Sequence, residues 1–171
     1  MTPLLLALAV SQLHSSPTPS EGHISLALGC TAGQAEVRVV ISNVGEGATG
    51  TLLGSVVGNY RWYLPAEMTF ETAEGRLIYS PVDLSGIAGR VDPWIVVLPS
   101  KSSFSFLVRA IDLMSTGYSR LTAFRGDLRV SLTGRALKLP GEAGYVSGMP
   151  VSDLWTGTVI SNTLNTSNCV K

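Results

Sequence analysis

Along most of this chain hydrophobic and polar residues alternate with a period of two, and almost nowhere with the period of a helix. In "EVRVVIS", Val37, Val39 and Ile41 share one face, and Arg38 and Ser42 share the other. "NYRWYLP" sets Tyr60, Trp62 and Leu64 against Arg61 and Tyr63 before Pro65 ends the run. Trp94 to Leu98 is a nearly continuous apolar strand that stops at Pro99. After the turn "PSKSS", Phe104, Phe106, Val108 and Ala110 alternate with Ser103, Ser105 and Arg109. "DLRVSLTG" places Leu128, Val130 and Leu132 inward and Arg129, Ser131 and Thr133 outward. Shorter runs occupy 23–28, 67–72, 76–80 and 155–164. Successive strand side chains point to opposite faces, so such alternation builds strands with one buried and one wetter side.

The breaks are as informative as the runs. "NVGEGATG" at 43–50 carries Asn43, Gly45, Gly47 and Gly50, residues suited to turns, and reads as a connection. Seven to nine strands without intervening helices predict an all-β, antiparallel, immunoglobulin-like β-sandwich, with a β-barrel as the alternative. Residues 80–93 and 134–154 are too long for tight hairpins and are expected to carry a binding surface.

Composition narrows the setting. At 171 residues the chain suits one folded domain, expected over 23–171, behind a signal segment and Ser/Pro-rich linker at 1–22. The apolar run in "MTPLLLALAV" precedes small residues at cleavage spacing, although no Lys or Arg stands before it. A truncated start or a loosely held tail are the other readings of this segment. No stretch reaches the length of a membrane-spanning helix, so none is expected in the mature protein. Hydrophobic residues make up 45% and charged residues 14%, against roughly 25% charged in an average soluble domain, a balance common in secreted β proteins. Twelve basic residues offset twelve acidic ones without a basic run, which argues against nucleic acid as a partner. The two cysteines, Cys30 and Cys169, are expected to form one bridge in an exported protein, worth about 4 to 5 kcal/mol on the chain-entropy account. "SLALGC" has the outline of a lipoprotein box, but Glu21 and His23 interrupt the apolar run it needs.

The chemistry that remains is sparse. Both histidines, His14 and His23, precede or open the domain, so the core offers no imidazole to a serine or cysteine nucleophile and none to a metal. No metal site and no cofactor is expected. "GQAEV" and "GEGATG" lack the context of a phosphate loop. Carboxylates are the remaining catalytic candidates: Glu67, Glu71 and Glu74 lie close in sequence, with Asp83 and Asp92 in the following loop. The right pair could hydrolyse a glycoside or hold calcium, although alternation about Met68 and Phe70 turns Glu67, Thr69 and Glu71 outward. Trp94, Trp155 and Tyr145 are candidate binding residues, with core packing the competing role for Trp62, Trp94 and Trp155. Asn165-Thr166-Ser167 is a glycosylation sequon.

"VRVVISNVGEGAT" and "VVLPSKSSFSFLVRAIDL" resemble the strand, Asn and Gly-containing turn, and the strand, turn and aromatic strand, of bacterial immunoglobulin-like domains. The intracellular proteinase inhibitor family of bacilli has a domain of this plan. The resemblance implies the sandwich fold and, as one alternative, a protease-inhibitor-like module. Pro99-Ser100-Lys101 stands where that family has Pro-Gly, and no inhibitory residue maps onto this chain. The expectation is an exported, non-enzymatic sandwich, secreted, periplasmic or on the cell surface, that binds a protein or carbohydrate or plays a structural part in an assembly. A carboxylate-dependent enzyme acting on polysaccharide is the alternative of a different class.

Overall fold

The computed structural model describes residues 23–31, 33–58, 62–80, 91–115, 119–137, 145–146, 149–150 and 154–169. Its strands are β1 (Ile24–Thr31), β2 (Gly33–Asn43), β3 (Thr49–Val57), β4 (Trp62–Leu64), β5 (Met68–Thr72), β6 (Gly75–Tyr79), β7 (Val91–Leu98), β8 (Ser103–Arg109), β9 (Leu113–Ser115), β10 (Asp127–Gly134), β11 (Tyr145–Val146), β12 (Met149–Pro150), β13 (Gly157–Ile160) and β14 (Leu164–Asn165). Eight of these have five residues or more, and the other six are short additions. The only helical turns among the described residues are 3₁₀, at Ala110–Asp112 and Thr166–Cys169.

All named strands pair antiparallel, and no sheet closes into a barrel, so the β-sandwich expectation stands and the barrel alternative falls. One sheet runs β1-β2-β8, a second β4-β3-β7, and a third β13-β10-β5-β6-β9, with β14 also on β10. β1 packs against β10 and β13 across the interior. The alternation read from sequence sets what lies between them. Leu26 of β1, Val39 and Ile41 of β2, and Val130 and Leu132 of β10 are fully buried. Each contributes about 1.5 to 3 kcal/mol of burial.

The two remaining sheets are joined by a corner. Ser42 faces Ser103 in the β2–β8 ladder and Thr49 faces Leu98 in the β3–β7 ladder. One long two-stranded ribbon therefore passes from the first sheet into the second, with unequal connections of 44–48 and 99–102. Asn43, 1% exposed, holds the bend. Its Nδ2 donates to the carbonyls of Gly47 at 2.7 Å, Leu98 at 3.0 Å and Pro99 at 3.0 Å, while its Oδ1 accepts from the Gly45 amide at 2.9 Å. Connections that leave the ladders strip carbonyls of their partners, and a buried carbonyl without one is costly. His23 packs on Gly45 where a Cβ would stand, and Ser100 Oγ donates to the Gly45 carbonyl at 2.8 Å.

β3, over Thr49–Val57, departs from the sequence expectation, which read 43–50 as a connection and named no strand between it and the run at 59–65. Eight of its nine residues are buried, so it lacks the alternation of a half-wet strand. Its register shifts between Leu52 and Gly54, a bulge that leaves Leu53 with its carbonyl accepting from the Glu67 amide at 3.1 Å. Gly54 sits at φ +152, and a Cβ there would collide with the Leu64 carbonyl and the Ala66 amide. Two boundaries also move. β7 begins at Val91 and takes in the last residues of the expected 80–93 loop, and the 155–164 run divides into β13 and β14. Within 134–154 the short β11–β12 hairpin is described, and most of the rest of both loops lies outside the described residues.

The expected bridge is present: Cys30, near the end of β1, is bonded to Cys169 in the last 3₁₀ turn, 139 residues away. Loop closure of that length is worth about 5 kcal/mol on the chain-entropy account.

Asn43→Ala should lower unfolding free energy by about 2 to 4 kcal/mol, because the Gly47 and Leu98 carbonyls and the Gly45 amide lose this partner, while Pro99 keeps its bonds from Ser102. Chemical denaturation measures this, with the exposed hydroxyl pair Ser42–Ser103 as internal comparison. A loss no larger than that of Ser42→Ala would show that the corner does not need the amide. Replacing Cys30 and Cys169 together by Ser should cost about 2 to 5 kcal/mol in the same assay.

Candidate functional site

Three sheets meet unevenly at the β8 side of the sandwich, and a groove of about 440 Å³ opens there. Its floor is Trp94, fourth residue of β7, buried to 9% exposure. Phe104 and Phe106, on the inward face of β8, form one wall, with Leu107 at its lip. Tyr63 of β4, Pro65 and Tyr79 of β6 form the other.

The rings pack edge on face around the tryptophan. Tyr63 lies 5.0 Å from Trp94 at 67°, Phe106 5.5 Å away at 64°, and Phe104 6.4 Å away at 83°. Such pairs contribute about 0.5 to 1.5 kcal/mol each beyond area burial and fix the shape of the surface they present. A second groove of about 420 Å³ shares Pro65 and Tyr79 with the first and continues over Met68, Leu77 and Ile78 to Arg76.

A polar cluster borders Tyr79. Asp112, 4% exposed in the 3₁₀ turn after β8, takes two bonds from Arg109, Nε to Oδ2 at 2.7 Å and Nη2 to Oδ1 at 2.8 Å. The bidentate fork holds Arg109 more firmly cationic than usual, through the hydrogen bond first and the carboxylate charge second. The Tyr79 phenol is raised above its ordinary value, first by burial and then by the Asp112 charge, with Arg109 opposing. Arg120 ties down the same turn through the carbonyls of Ser80 and Ile111. The site thus offers wide aromatic area, the phenols of Tyr63 and Tyr79 and the neighbouring Arg109 guanidinium, which suits binding by contact area with orientation set by few polar groups.

Of the binding residues expected from sequence, Trp94 is the floor of this groove. Trp155 is buried at 7% exposure against Gly134 and Gly157, away from it. Tyr145 lies in the β11–β12 hairpin, paired with Pro150. Sequence places Tyr63, Phe104 and Phe106 only on strand faces and Tyr79 only within the run 76–80, so their convergence is new.

The carboxylates named from sequence lie in different surroundings. Glu67 is a correction to the outward face expected of it: its side chain is 12% exposed and pairs with Arg135 at 2.6 Å. Glu71 lines a shallow polar groove with Asp127, Arg129 and Thr163. Glu74 borders another, with Arg76 and Arg125. Asp92 is on β7, and Asp83 lies outside the described residues. Among the described residues, no three of His, Cys, Asp and Glu gather closely enough to hold a metal ion.

Because the Tyr79 phenol titrates above its unfolded value of about 10, the folded state holds the proton longer. Its contribution to stability is therefore complete below that pH and lost as pH rises through the folded value. Wild type should lose stability more steeply above pH 10 than Tyr79→Phe does, as read by denaturation at stepped pH. Asp112→Asn should bring the phenol part of the way down, leaving the share due to burial, as read by carbon-13 NMR of labelled tyrosine.

No family model, no curated protein and no solved structure matches the chain.

Proposed function

We propose that this protein is an exported, non-enzymatic, immunoglobulin-like β-sandwich that binds a protein or carbohydrate at the cell envelope or outside the cell, in the groove over Trp94. The observation that carries this reading is the groove itself: a concave, largely aromatic surface of ligand-site size whose rings are held by mutual packing. A rigid aromatic surface binds with little loss of side-chain entropy. Support for export comes from the apolar start of the chain and from the Cys30–Cys169 bridge, which persists in oxidising compartments. Among the described residues no helix is long and apolar enough to cross a membrane.

Tyr63 is 47% exposed, so Tyr63→Ala should leave the fold intact while removing one wall. Against a panel of oligosaccharides and peptides followed by tryptophan emission, any ligand of wild type should lose about ten-fold or more in affinity with this variant. Ligands indifferent to both Tyr63→Ala and Phe106→Ala would refute the site. Mass analysis of exported protein without reduction should show residues 1–10 or so removed and both thiols oxidised. Retained Met1 with free thiols would refute the location.

A further inference from the structure

The strand that forms one wall of the groove is also the edge of its sheet. β8 pairs with β2 alone among the described strands. The Asn43 amide bonds the Ser102 carbonyl at 2.9 Å, one step beyond the Ser42–Ser103 pair. Bonded and non-bonded pairs alternate in an antiparallel ladder, so Phe104, Phe106 and Val108 direct their amides and carbonyls toward β2. Ser103, Ser105, Leu107 and Arg109 direct theirs toward the open side. An edge of this kind is a template for another strand, and natural sheets generally blunt or cover it.

Side-chain periodicity connects the edge to the groove. A strand laid beside β8 would turn alternate side chains inward, the direction taken by Phe104 and Phe106, and so into the space between them and Tyr63, Pro65 and Tyr79. Its other side chains would lie on the outer face, beside Leu107, which is 50% exposed, and Arg109. On β2, Arg38 stands across from Leu107 and Glu36 across from Arg109, whose guanidinium is already held by Asp112.

We infer that the ligand is an extended peptide segment that adds to β8 as an antiparallel strand, with apolar residues at alternate positions filling the groove. This deepens the groove reading and rests on it. Backbone bonds to the β8 edge supply affinity, and the groove selects which side chains enter.

The test uses the 171-residue chain, labelled for NMR, and a seven-residue synthetic peptide matched to the length of Ser103–Arg109. The peptide alternates Phe or Val with Thr, and a second version carries N-methyl groups on the Thr amides. The unmodified peptide should slow exchange of the Ser103, Ser105, Leu107 and Arg109 amides about ten-fold or more, shift the Trp94 indole signal, and bind about ten-fold or more tighter than the methylated one. Equal binding of both, with the indole shifted and those amides unprotected, overturns strand addition while the groove reading survives. Absence of any effect overturns strand addition, and the groove reading is then decided by the Tyr63→Ala panel. Protection of the same amides without peptide, growing with protein concentration, overturns the proposal in favour of a second copy on this edge.

Discussion

One buried amide lets a two-stranded ribbon serve two sheets. At the corner between β2 and β3 and between β7 and β8, the strands leave one ladder before they enter the next, and their carbonyls need partners that neither ladder supplies. Asn43 supplies them with a single side chain reaching Gly47, Leu98 and Pro99. The groove depends on that bend, since Trp94 stands on one side of the corner and Phe104 and Phe106 on the other. A straight ribbon would set these rings along a single sheet face, where no wall could stand over a floor.

Much of this architecture is legible in the sequence, and the limits have physical causes. Val37, Val39 and Ile41, or Leu128, Val130 and Leu132, announce their strands because water on one face and core on the other impose a period of two. β3 is silent by the same rule, since it is covered on nearly every residue and its two glycines imitate a turn. Asn43 is recognisable as a residue that ends a strand, but the carbonyls it binds at 98 and 99 are more than fifty positions away. The bridge between Cys30 and Cys169 was legible because a chain with two cysteines offers one pairing.

The groove was legible only in fragments. Phe104 and Phe106 read as inward residues of a strand, as they are, yet they remain half-buried because β8 is an edge. Alternation reports which way a side chain points and carries no word on whether a neighbouring strand exists to cover it. Tyr79 and Asp112 are joined through a 3₁₀ turn that has no periodic signature, and so the perturbed phenol has no trace in the sequence. Glu67 illustrates the reverse case, a charged residue expected to face outward that is largely buried against its partner, Arg135, beyond the end of β10.

The covalent link between β1 and the last turn also has a mechanical meaning. Cys30 and Cys169 enclose nearly all of the pleated layers, so tension applied to the two ends of the polypeptide runs through the sulfur atoms and bypasses everything they enclose. Only the stretch of β1 before Cys30 stays in the line of pull, where its ladder with β2 must resist peeling. Pulled at both ends, the molecule would load first the pairing of Ile24 with Asn43, so its corner lies in the path of the force while the aromatic hollow is enclosed by the link.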